Sequence, residues 1–390
     1  MRFGIWTSLF DGAAGAKNPA DVLDNVREQV QFAEDLGFEI VWLGEHHFGP
    51  YEHGDIPNPL MVGVDLAART KTIRIGQMAN IATWWHPIRL AEDIAILDNL
   101  TKGRIEVGFG RGIWPYEGPQ FHPHADTRKD KENRELFAET VEIVRKAWTE
   151  EYFSHQGPNY TFPAPDTVFS HPLYPPDPAW RDGEKVLKLR VTPKPYQKPH
   201  PPLHMTVSTD RSVTFAAELG LQACYWQPPP RQIRARMEVY AEVRSRIEGR
   251  AVPFWKGQSV LRNMYVGPSM AQVRREAEGS IMEGFVYNDP FRGRQVFANP
   301  GEEFAPDQKL DFDFLEPRTL LVGHPDHVIE RVAELREICN LQDLMVGYAY
   351  SGLTQRQILT NLETFATKVI PHFKDAAPAA AATEEALAPA

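Results

Sequence analysis

Short apolar segments alternate along the chain with longer segments in which apolar residues recur at helical spacing. Residues 2–9 form a short run that is typical of a strand, and residues 20–36 place their apolar side chains on one face of a helix. Gly37 follows this segment directly, and glycine is common just past the end of a helix. The same pairing of a predicted strand with a predicted helix recurs as far as residue 373.

The repeated pairs predict an α/β protein. Further strands are predicted at 39–43, 72–78, 104–109, 203–207, 222–226, 259–266, near 320–322 and at 344–347. Further helices are predicted at 59–70, 87–100, 129–149, 212–219, 229–248, 269–285, 324–338 and 354–373. Repeated strand–helix units indicate a parallel sheet. About eight strands without an obvious break into halves favour a single (β/α)₈ barrel, the TIM barrel, over an open doubly wound sheet.

Two segments interrupt the alternation and predict insertion loops. Residues 152–202 are rich in proline and aromatic residues, and residues 288–317 are rich in glycine, proline and charge. Both are longer than ordinary connections, so we interpret them as functional loops or lids. The last segment, 376–390, is of low Ala/Pro/Glu complexity and is predicted to be disordered. The expected organisation is therefore one barrel over residues 1–375 and a short tail.

Composition narrows the class of partner. The chain has 390 residues, 42% of them hydrophobic, and a net charge of −10, with no long run of basic residues that would indicate nucleic-acid binding. The sequence shows no signal peptide and no apolar stretch near the roughly 20 residues needed to span a membrane. Two cysteines, Cys224 and Cys339, make no disulfide framework and fit a reducing compartment. A cytoplasmic protein acting on a small molecule, without nucleic acid or membrane, is expected.

The first candidate for chemistry is His46, in the segment Gly44-Glu45-His46-His47-Phe48 that follows the second predicted strand. Active sites of TIM barrels lie at the carboxyl ends of the strands. A histidine there can act as a general base or donate a hydrogen bond to a reacting oxygen. The alternative is a histidine that lies at the surface or only supports a neighbouring residue. A zinc site would need further ligands, and none stands at a convincing spacing, so no metal is predicted.

The end of the third predicted strand combines small residues with tryptophans. The sequence Gly-Gln-Met-Ala-Asn at 76–80 includes Met78, Ala79 and Asn80, and small residues let a flat ring approach a backbone closely. Trp84 and Trp85 follow shortly afterwards. Aromatic residues mostly serve packing. The position of these two, between a strand end and a proline, favours a pocket wall.

A glycine-rich segment at 103–112 carries the next candidate, Arg111. It lacks the features of a dinucleotide fingerprint, because it does not open a helix and its glycines follow the spacing GxGxG. It also lacks the Gly-Lys-Ser/Thr of a P-loop. What remains is a strand that ends in a glycine-rich turn with an arginine. Arg111 can pair with a phosphate or form an ordinary salt bridge, and this motif alone favours neither.

Hydroxyl residues precede the helix that follows the fifth predicted strand. In Ser208-Thr209-Asp210-Arg211-Ser212 they can serve as plain N-caps. A helix start with exposed amides is also a phosphate site. Arg111 and this helix start could together hold one monophosphate.

At these positions the sequence resembles the bacterial luciferase-like family of flavin-dependent monooxygenases, and the luciferase α subunit in particular. The matching segments stand in the family's order and span nearly the whole chain. They are VWLGEHHF (41–48), HPIRLAED (86–93), KGR (102–104), GFGRG (108–112), AAELG (216–220), LVGHP (321–325) and VIPHF (369–373). Each segment alone is weak, but the ordered set is specific.

The resemblance implies a TIM barrel that binds reduced FMN at its carboxyl-terminal mouth. It gives His46 the position of the family's catalytic histidine and places a non-prolyl cis peptide beneath the flavin ring within Met78–Asn80. It also implies a set of contacts to the FMN phosphate, made by Arg111, Ser208, Thr209 and Ser212. One position departs from the luciferase α subunit. Gly110 stands where that subunit has a reactive cysteine, so light emission on long-chain aldehydes is not implied.

The reaction that the resemblance implies is an oxygenation. Dioxygen adds to reduced FMN to give a flavin C(4a)-peroxide, which inserts oxygen into an organic substrate, and a separate reductase supplies the flavin. A homodimer is expected by the same analogy. An aromatic pocket would suit a hydrophobic substrate, and its candidate residues are Trp6, Phe10, Trp84, Trp85, Trp114, Tyr116 and Trp226. Two alternatives stay open: a deazaflavin-dependent dehydrogenase of the same fold, and a non-catalytic flavin-binding subunit.

Overall fold

Nine strands carry the fold in the computed structural model, which describes residues 1–9, 18–49, 56–305 and 307–374. The strands are β1 (Arg2–Thr7), β2 (Ile40–Leu43), β3 (Arg74–Ile81), β4 (Ile105–Gly110), β5 (Leu203–Val207), β6 (Gln222–Tyr225), β7 (Gln258–Val266), β8 (Leu320–Gly323) and β9 (Asp343–Gly347). They belong to one sheet, which the pairing of β6 with β7 closes. The fold is a (β/α)₈ TIM barrel, as the sequence predicts. The ninth strand, β8, pairs with the second half of β7.

Helices follow the strands. They are α1 (Pro19–Asp35), α2 (Pro59–Arg69), α3 (Pro87–Leu100), α4 (Asp130–Thr149), α5 (Asp210–Glu218), α6 (Pro230–Glu248), α7 (Met270–Val273), α8 (Gly279–Arg292), α9 (Phe312–Thr319), α10 (Pro325–Cys339), α11 (Gln355–Thr364) and α12 (Pro371–Lys374). Proline begins several of them, since the missing N–H at the first helical position costs no hydrogen bond. None of the described helices has both the length and the apolar character needed to cross a membrane.

The chain divides into two compact units, residues 1–79 with those from 203 on, and residues 80–202. In the first unit β1 lies between β2 and β9, and Gly4 is opposite both Ile40 and Met345. A core cluster of this unit contains both of these last residues. Its buried members are Ile40, Trp42, Met78, Cys224, Leu261 and Met345, and the partly buried Trp6 and Trp226 pack against it.

The second unit contains β4, α3, α4 and the predicted insertion at 152–202. The insertion has little regular structure, which agrees with its proline-rich sequence, and forms two short antiparallel hairpins. It is tied to α4 through the buried carboxylate of Glu139, which accepts hydrogen bonds from the backbone N–H of Tyr160 (2.9 Å) and from His155 Nε2 (3.0 Å).

The segment 288–317, predicted as a loop, is helical at both of its ends. α8 continues through Asn288 to Arg292, and α9 begins at Phe312. Pro290 lies in the last turn of α8, and Gly293 with φ of 74° ends the helix. The proline and glycine therefore mark a helix end, where they are tolerated. The predicted helix at 269–285 is also interrupted, by a π-helix at Arg274–Glu278.

Candidate active site

His46 lies in the loop that leaves the carboxyl end of β2, as predicted. Its side chain is half-buried, and its backbone N–H donates to the carbonyl of Ile56 at 3.3 Å. Beside it, the carboxylate of Glu45 is 2% exposed and lies 3.2 Å from Nε2 of His47. The imidazoles of His46 and His47 and the carboxylate of Glu45 thus all belong to the loop at this strand end, and such groups can transfer protons.

The end of β3 meets this region of the first unit. The peptide bond Met78–Ala79 is cis, within the segment where the resemblance places it. The indole Nε1 of Trp6 donates to the carbonyl of Met78 at 3.2 Å. A Cβ added at Gly44 would lie 3.1 Å from the Trp6 ring and 3.9 Å from the Met78 carbonyl, so only a residue without a side chain leaves this space open.

Two buried amide side chains flank the Met78–Ala79 bond. Gln77 and Asn80 are both 0% exposed. Neither amide nitrogen nor amide oxygen of either residue has a hydrogen-bond partner among the residues that the structure describes. Buried polar groups are nearly always satisfied, and an unsatisfied one costs roughly 1–3 kcal/mol. A flat ring whose edge carries both donors and acceptors would satisfy such amides, and a flavin is a ring of that kind.

Arg111 follows β4 in the second unit and is anchored there. Its Nη1 donates to Asn133 Oδ1 at 2.9 Å and lies 3.1 Å from Asp130 Oδ1, while Asn133 Nδ2 returns a bond to the Arg111 carbonyl at 3.1 Å. The salt-bridge interpretation is therefore correct for Arg111. A guanidinium has five N–H donors, so this anchoring is compatible with a phosphate contact, which stays a prediction.

The hydroxyls before α5 form a capping box. The Thr209 hydroxyl accepts from the backbone N–H of Ser212 at 3.2 Å, and Ser212 Oγ accepts from the N–H groups of Ser208 and Thr209, both at 3.0 Å. The N-cap interpretation is therefore correct for Thr209. The helix start also has the orientation of amides that favours an anion, which leaves the predicted phosphate contact open.

The predicted pocket aromatics fall into separate groups. Trp6 and Trp226 pack against the core cluster of the first unit. In the second unit, Trp84 is 8% exposed and stacks on Phe121, and Trp114 stacks on Tyr116 with ring centroids 6.0 Å apart. Trp85 is half-buried. Phe10 lies outside the described residues.

Some polar residues of this region were missed at the sequence level. Gln77 belongs to the Gly-Gln-Met-Ala-Asn segment at 76–80, but no sequence pattern indicates that its amide is buried without a partner among the described residues. Arg262 is 1% exposed inside β7 and donates to the carbonyls of Trp226 and Pro228. Arg292, whose guanidinium lies over Trp226, falls in the segment predicted as a loop. Each of these contacts joins residues far apart in sequence, so no local sequence pattern predicts them.

Other chemistry is limited in the described part of the chain. No group of three or more His, Cys, Asp or Glu side chains there is placed to hold a metal ion. Cys224 belongs to the core cluster, and burial raises the pKa of its thiol to about 12. It therefore stays protonated and is not a nucleophile at neutral pH.

Comparison with known proteins establishes the family. The sequence profile of the luciferase-like monooxygenases matches residues 1–339. Over 392 residues the chain is 22% identical to the alkanal monooxygenase alpha chain of Photorhabdus laumondii, covering 96% of this chain and 98% of that one. Over 220 residues it is 26% identical to the oxygenase component of the flavin-dependent trigonelline monooxygenase of Acinetobacter baylyi, covering 56% and 52%. The chain belongs to the luciferase-like monooxygenase family and is an enzyme.

Solved structures share the fold. The oxygenating constituent of 3,6-diketocamphane monooxygenase from Pseudomonas putida, solved in complex with FMN, matches with a TM-score of 0.76 and 21% identity, over 95% of this chain and 98% of that one. An F420-dependent secondary alcohol dehydrogenase matches with a TM-score of 0.68 and 17% identity, over 96% and 99%. At such identities the likeness shows the fold, and the fold alone is compatible with either cofactor.

Proposed function

We propose that this chain is the oxygenase component of a two-component system, which binds reduced FMN from a separate reductase and oxygenates an apolar organic substrate. The observation that carries the proposal is the pair of buried, unpartnered amides of Gln77 and Asn80 beside Met78–Ala79. They fit the edge of a flavin ring. Family membership supports the same cofactor class.

Bound FMN would supply two electrons, with which one oxygen atom of O₂ enters the substrate and the other leaves as water. In this proposal the protein binds, orients and protects. Arg111 and the start of α5 are the groups that would hold the phosphate, and Met78, Ala79 and Asn80 are those that would lie along the ring. The imidazole of His46 takes up or delivers a proton at a ring nitrogen as oxygen is reduced. Trp6 and Trp226, which pack against the cluster that contains Met78, would exclude water from the reacting centre.

The test is an anaerobic titration of the purified protein with reduced FMN and, separately, with reduced deazaflavin, followed by a pulse of dioxygen. We expect reduced FMN to bind and to reoxidise at a rate different from that of free FMN. Binding of the deazaflavin alone would favour the dehydrogenase. Tight FMN binding with no oxygen reactivity would favour a non-catalytic subunit.

His46 is tested by His46→Ala, which should retain FMN and lose product formation. His47→Ala is the matched comparison, since the His47 ring lies 3.2 Å from the carboxylate of Glu45. If both variants turn over like the unmodified enzyme, His46 has no part in the reaction.

A further inference from the structure

Arg292 differs from the arginines around it because it has no acidic partner among the residues that the structure describes. Nearby Arg274, Arg294 and Arg318 each pair with a carboxylate, from Asp313, Asp289 and Glu302 respectively. Among the described residues no carboxylate lies within 4.0 Å of the Arg292 guanidinium, and its buried Nε has no hydrogen-bond partner. Arg292 is therefore a cation with unused hydrogen-bonding capacity.

The Arg292 guanidinium lies against an aromatic platform. Its central carbon is 4.7 Å from the ring centroid of Trp226, and the ring of Phe285 lies 6.3 Å from that of Trp226. A cation over the face of a tryptophan gains a favourable interaction with the ring. That interaction leaves the charge without a counter-ion.

The platform is fixed in place and borders the candidate active site. The carbonyl of Trp226 accepts a hydrogen bond from the buried Arg262, which also bonds to the Pro228 carbonyl at 2.5 Å. Trp226 packs against the cluster that contains Met78, and Trp6, which bonds to the Met78 carbonyl, packs against the same cluster. Arg292, Trp226 and Met78 belong to one compact unit, in which Trp226 contacts both Arg292 and the cluster that contains Met78.

Arg292 is half-buried, and the partial desolvation of its charge has a cost that an anionic ligand would offset. Desolvation lowers the pKa of Arg292 to about 10, so the group stays charged at neutral pH. The planar guanidinium can donate two parallel N–H bonds to a carboxylate, an arrangement stronger than a neutral hydrogen bond. The neighbouring Trp226 and Phe285 would contact an apolar or aromatic body attached to that carboxylate.

We propose that Arg292 recognises the carboxylate of the substrate, so that this enzyme acts on an organic acid with an apolar or aromatic body. This inference rests on the proposed function and names the substrate class of the same site. The flavin phosphate is the other oxyanion that this arginine could meet. The proposal assigns the phosphate to Arg111 and the start of α5, and the substrate carboxylate to Arg292.

The test compares each of three acids, 2-naphthoate, phenylacetate and decanoate, with its own amide, of nearly the same shape but without the charge. Binding is measured by calorimetry on the FMN-loaded protein and on the protein alone. We expect at least one acid to bind about 10- to 100-fold more tightly than its amide, the range of a charge-assisted hydrogen bond. Arg292→Gln should bring that ratio close to one, and Arg292→Lys should retain part of it. The matched control is Arg275→Gln, an exposed arginine of the same helical segment.

Three outcomes would overturn the proposal. The first is that no acid is preferred over its amide in the unmodified protein, and the second is that Arg292→Gln preserves the preference. The third is that Arg292→Gln instead abolishes the preference for FMN over riboflavin, which would make Arg292 a phosphate ligand. Folding of each variant is checked by circular dichroism and thermal denaturation. If the acid preference depends on Arg292 but FMN shows no oxygen reactivity, the proposed function fails and the organic-acid site stands.

Discussion

Gln77 and Asn80 each bury an amide that no described residue satisfies, and in the absence of a ligand this costs stability. Asn80→Leu replaces the amide with an apolar group of similar shape. We expect this variant without flavin to be more stable by about 1–2 kcal/mol, because the unsatisfied amide is gone, and to bind FMN more weakly. Urea denaturation and FMN titration measure the two effects. A gain in stability together with a loss of FMN affinity would show that the amide serves binding and not folding.

A structural role for Asn80 predicts the reverse. If Asn80→Leu lowers the free energy of unfolding and leaves FMN affinity unchanged, the amide serves the fold. Thr140→Val is a useful comparison. Its hydroxyl is also buried without a partner, but it lies on α4, and no binding role is proposed for it. It should gain stability with no change in FMN affinity.

Arg262 serves the fold through the loop after β6. Arg262→Met would leave the carbonyls of Trp226 and Pro228 without their donor, at roughly 1–3 kcal/mol each, while removal of a buried charge offsets part of that loss. We expect the free energy of unfolding to fall by about 2 kcal/mol, measured as a lower urea midpoint with an unchanged slope. Arg275→Met, on an exposed position, should stay within about 0.5 kcal/mol of the parent. Equal midpoints for the two variants would contradict this role.

At the scale of single residues the sequence predicts side chains that belong to a local motif. The glycine-rich turn made Arg111 a candidate, and the strand end made His46 a candidate. Arg292 and Arg262 escape the same reasoning because their environment is made by Trp226, which lies 66 and 36 positions away in the sequence. Burial of an arginine is decided by such distant contacts, and a single sequence does not record them.

The junction between α1 and β3 depends on one carboxylate. Glu34 Oε1 accepts from the backbone N–H groups of Lys71 (2.8 Å), Thr72 (2.5 Å) and Ile73 (2.9 Å). Burial raises the pKa of Glu34, but these three donors and the Thr72 hydroxyl together lower it by more. The pKa therefore lies below its ordinary value of 4.5. Glu34 therefore stabilises the folded state above about pH 4.5, and that contribution is lost as pH falls through the lowered pKa.

Glu34→Gln should lower the free energy of unfolding at pH 7 by about 1 kcal/mol, since a neutral amide accepts hydrogen bonds more weakly. The difference from the parent should shrink as pH falls below 4.5, where the parent carboxylate becomes protonated. Urea denaturation at a series of pH values measures it. Asp35→Asn, at the exposed neighbouring position, is the control. A difference that is constant with pH would show that charge on Glu34 does not matter.

The insertion at 152–202 is irregular, and Glu139 is one of several residues that anchor it. Glu139 on α4 accepts from the backbone N–H groups of Asn159 (3.0 Å) and Tyr160 (2.9 Å) and from His155. Glu139→Ala should expose the segment around residue 157 and speed proteolytic cleavage there by about tenfold or more, which corresponds to roughly 1.4 kcal/mol of lost local stability.

Limited proteolysis with mass-spectrometric identification of the cut measures this. Glu139→Gln keeps one acceptor oxygen and should lie between Glu139→Ala and the parent. Glu135→Ala, which removes an exposed glutamate of the same helix, should cleave like the parent. Equal cleavage of all four proteins would show that the segment is held by its other contacts.

At the scale of elements, the hydrophobic period identified every barrel strand, because each is a short apolar run bounded by turn residues. The ends were less accurate. β3 runs on to Ile81 rather than ending at Met78, and Ala79, Asn80 and Ile81 are all buried. The helical part of 288–317 was missed because Pro290 and Gly293 indicate a loop by composition, whereas here they end α8. Local composition cannot separate a helix end from a long loop.

For the whole molecule, cofactor binding and stability are linked. A ligand that binds the folded chain and not the unfolded one raises the free energy of unfolding, by about 2.7 kcal/mol at a hundredfold excess over its dissociation constant. FMN should therefore stabilise this protein against urea, and riboflavin, which lacks the phosphate, should stabilise it less at the same concentration. The difference in stabilisation between FMN and riboflavin measures how much the phosphate site contributes to binding.

The difference in stabilisation between FMN and riboflavin should depend on Arg111. Arg111→Met removes the proposed phosphate contact, so FMN affinity should fall about 10-fold or more, the scale of one charge-assisted hydrogen bond, while riboflavin affinity changes little. Arg128→Met, which removes a mostly exposed arginine of the same unit, should leave both affinities unchanged. If Arg111→Met weakens both flavins equally, the residue acts through its bonds to Asp130 and Asn133, which position α4 against the end of β4, and not through the phosphate. Only the loss of a residue that contacts the phosphate should weaken FMN binding more than riboflavin binding. Measuring both flavins with both variants therefore separates the two roles.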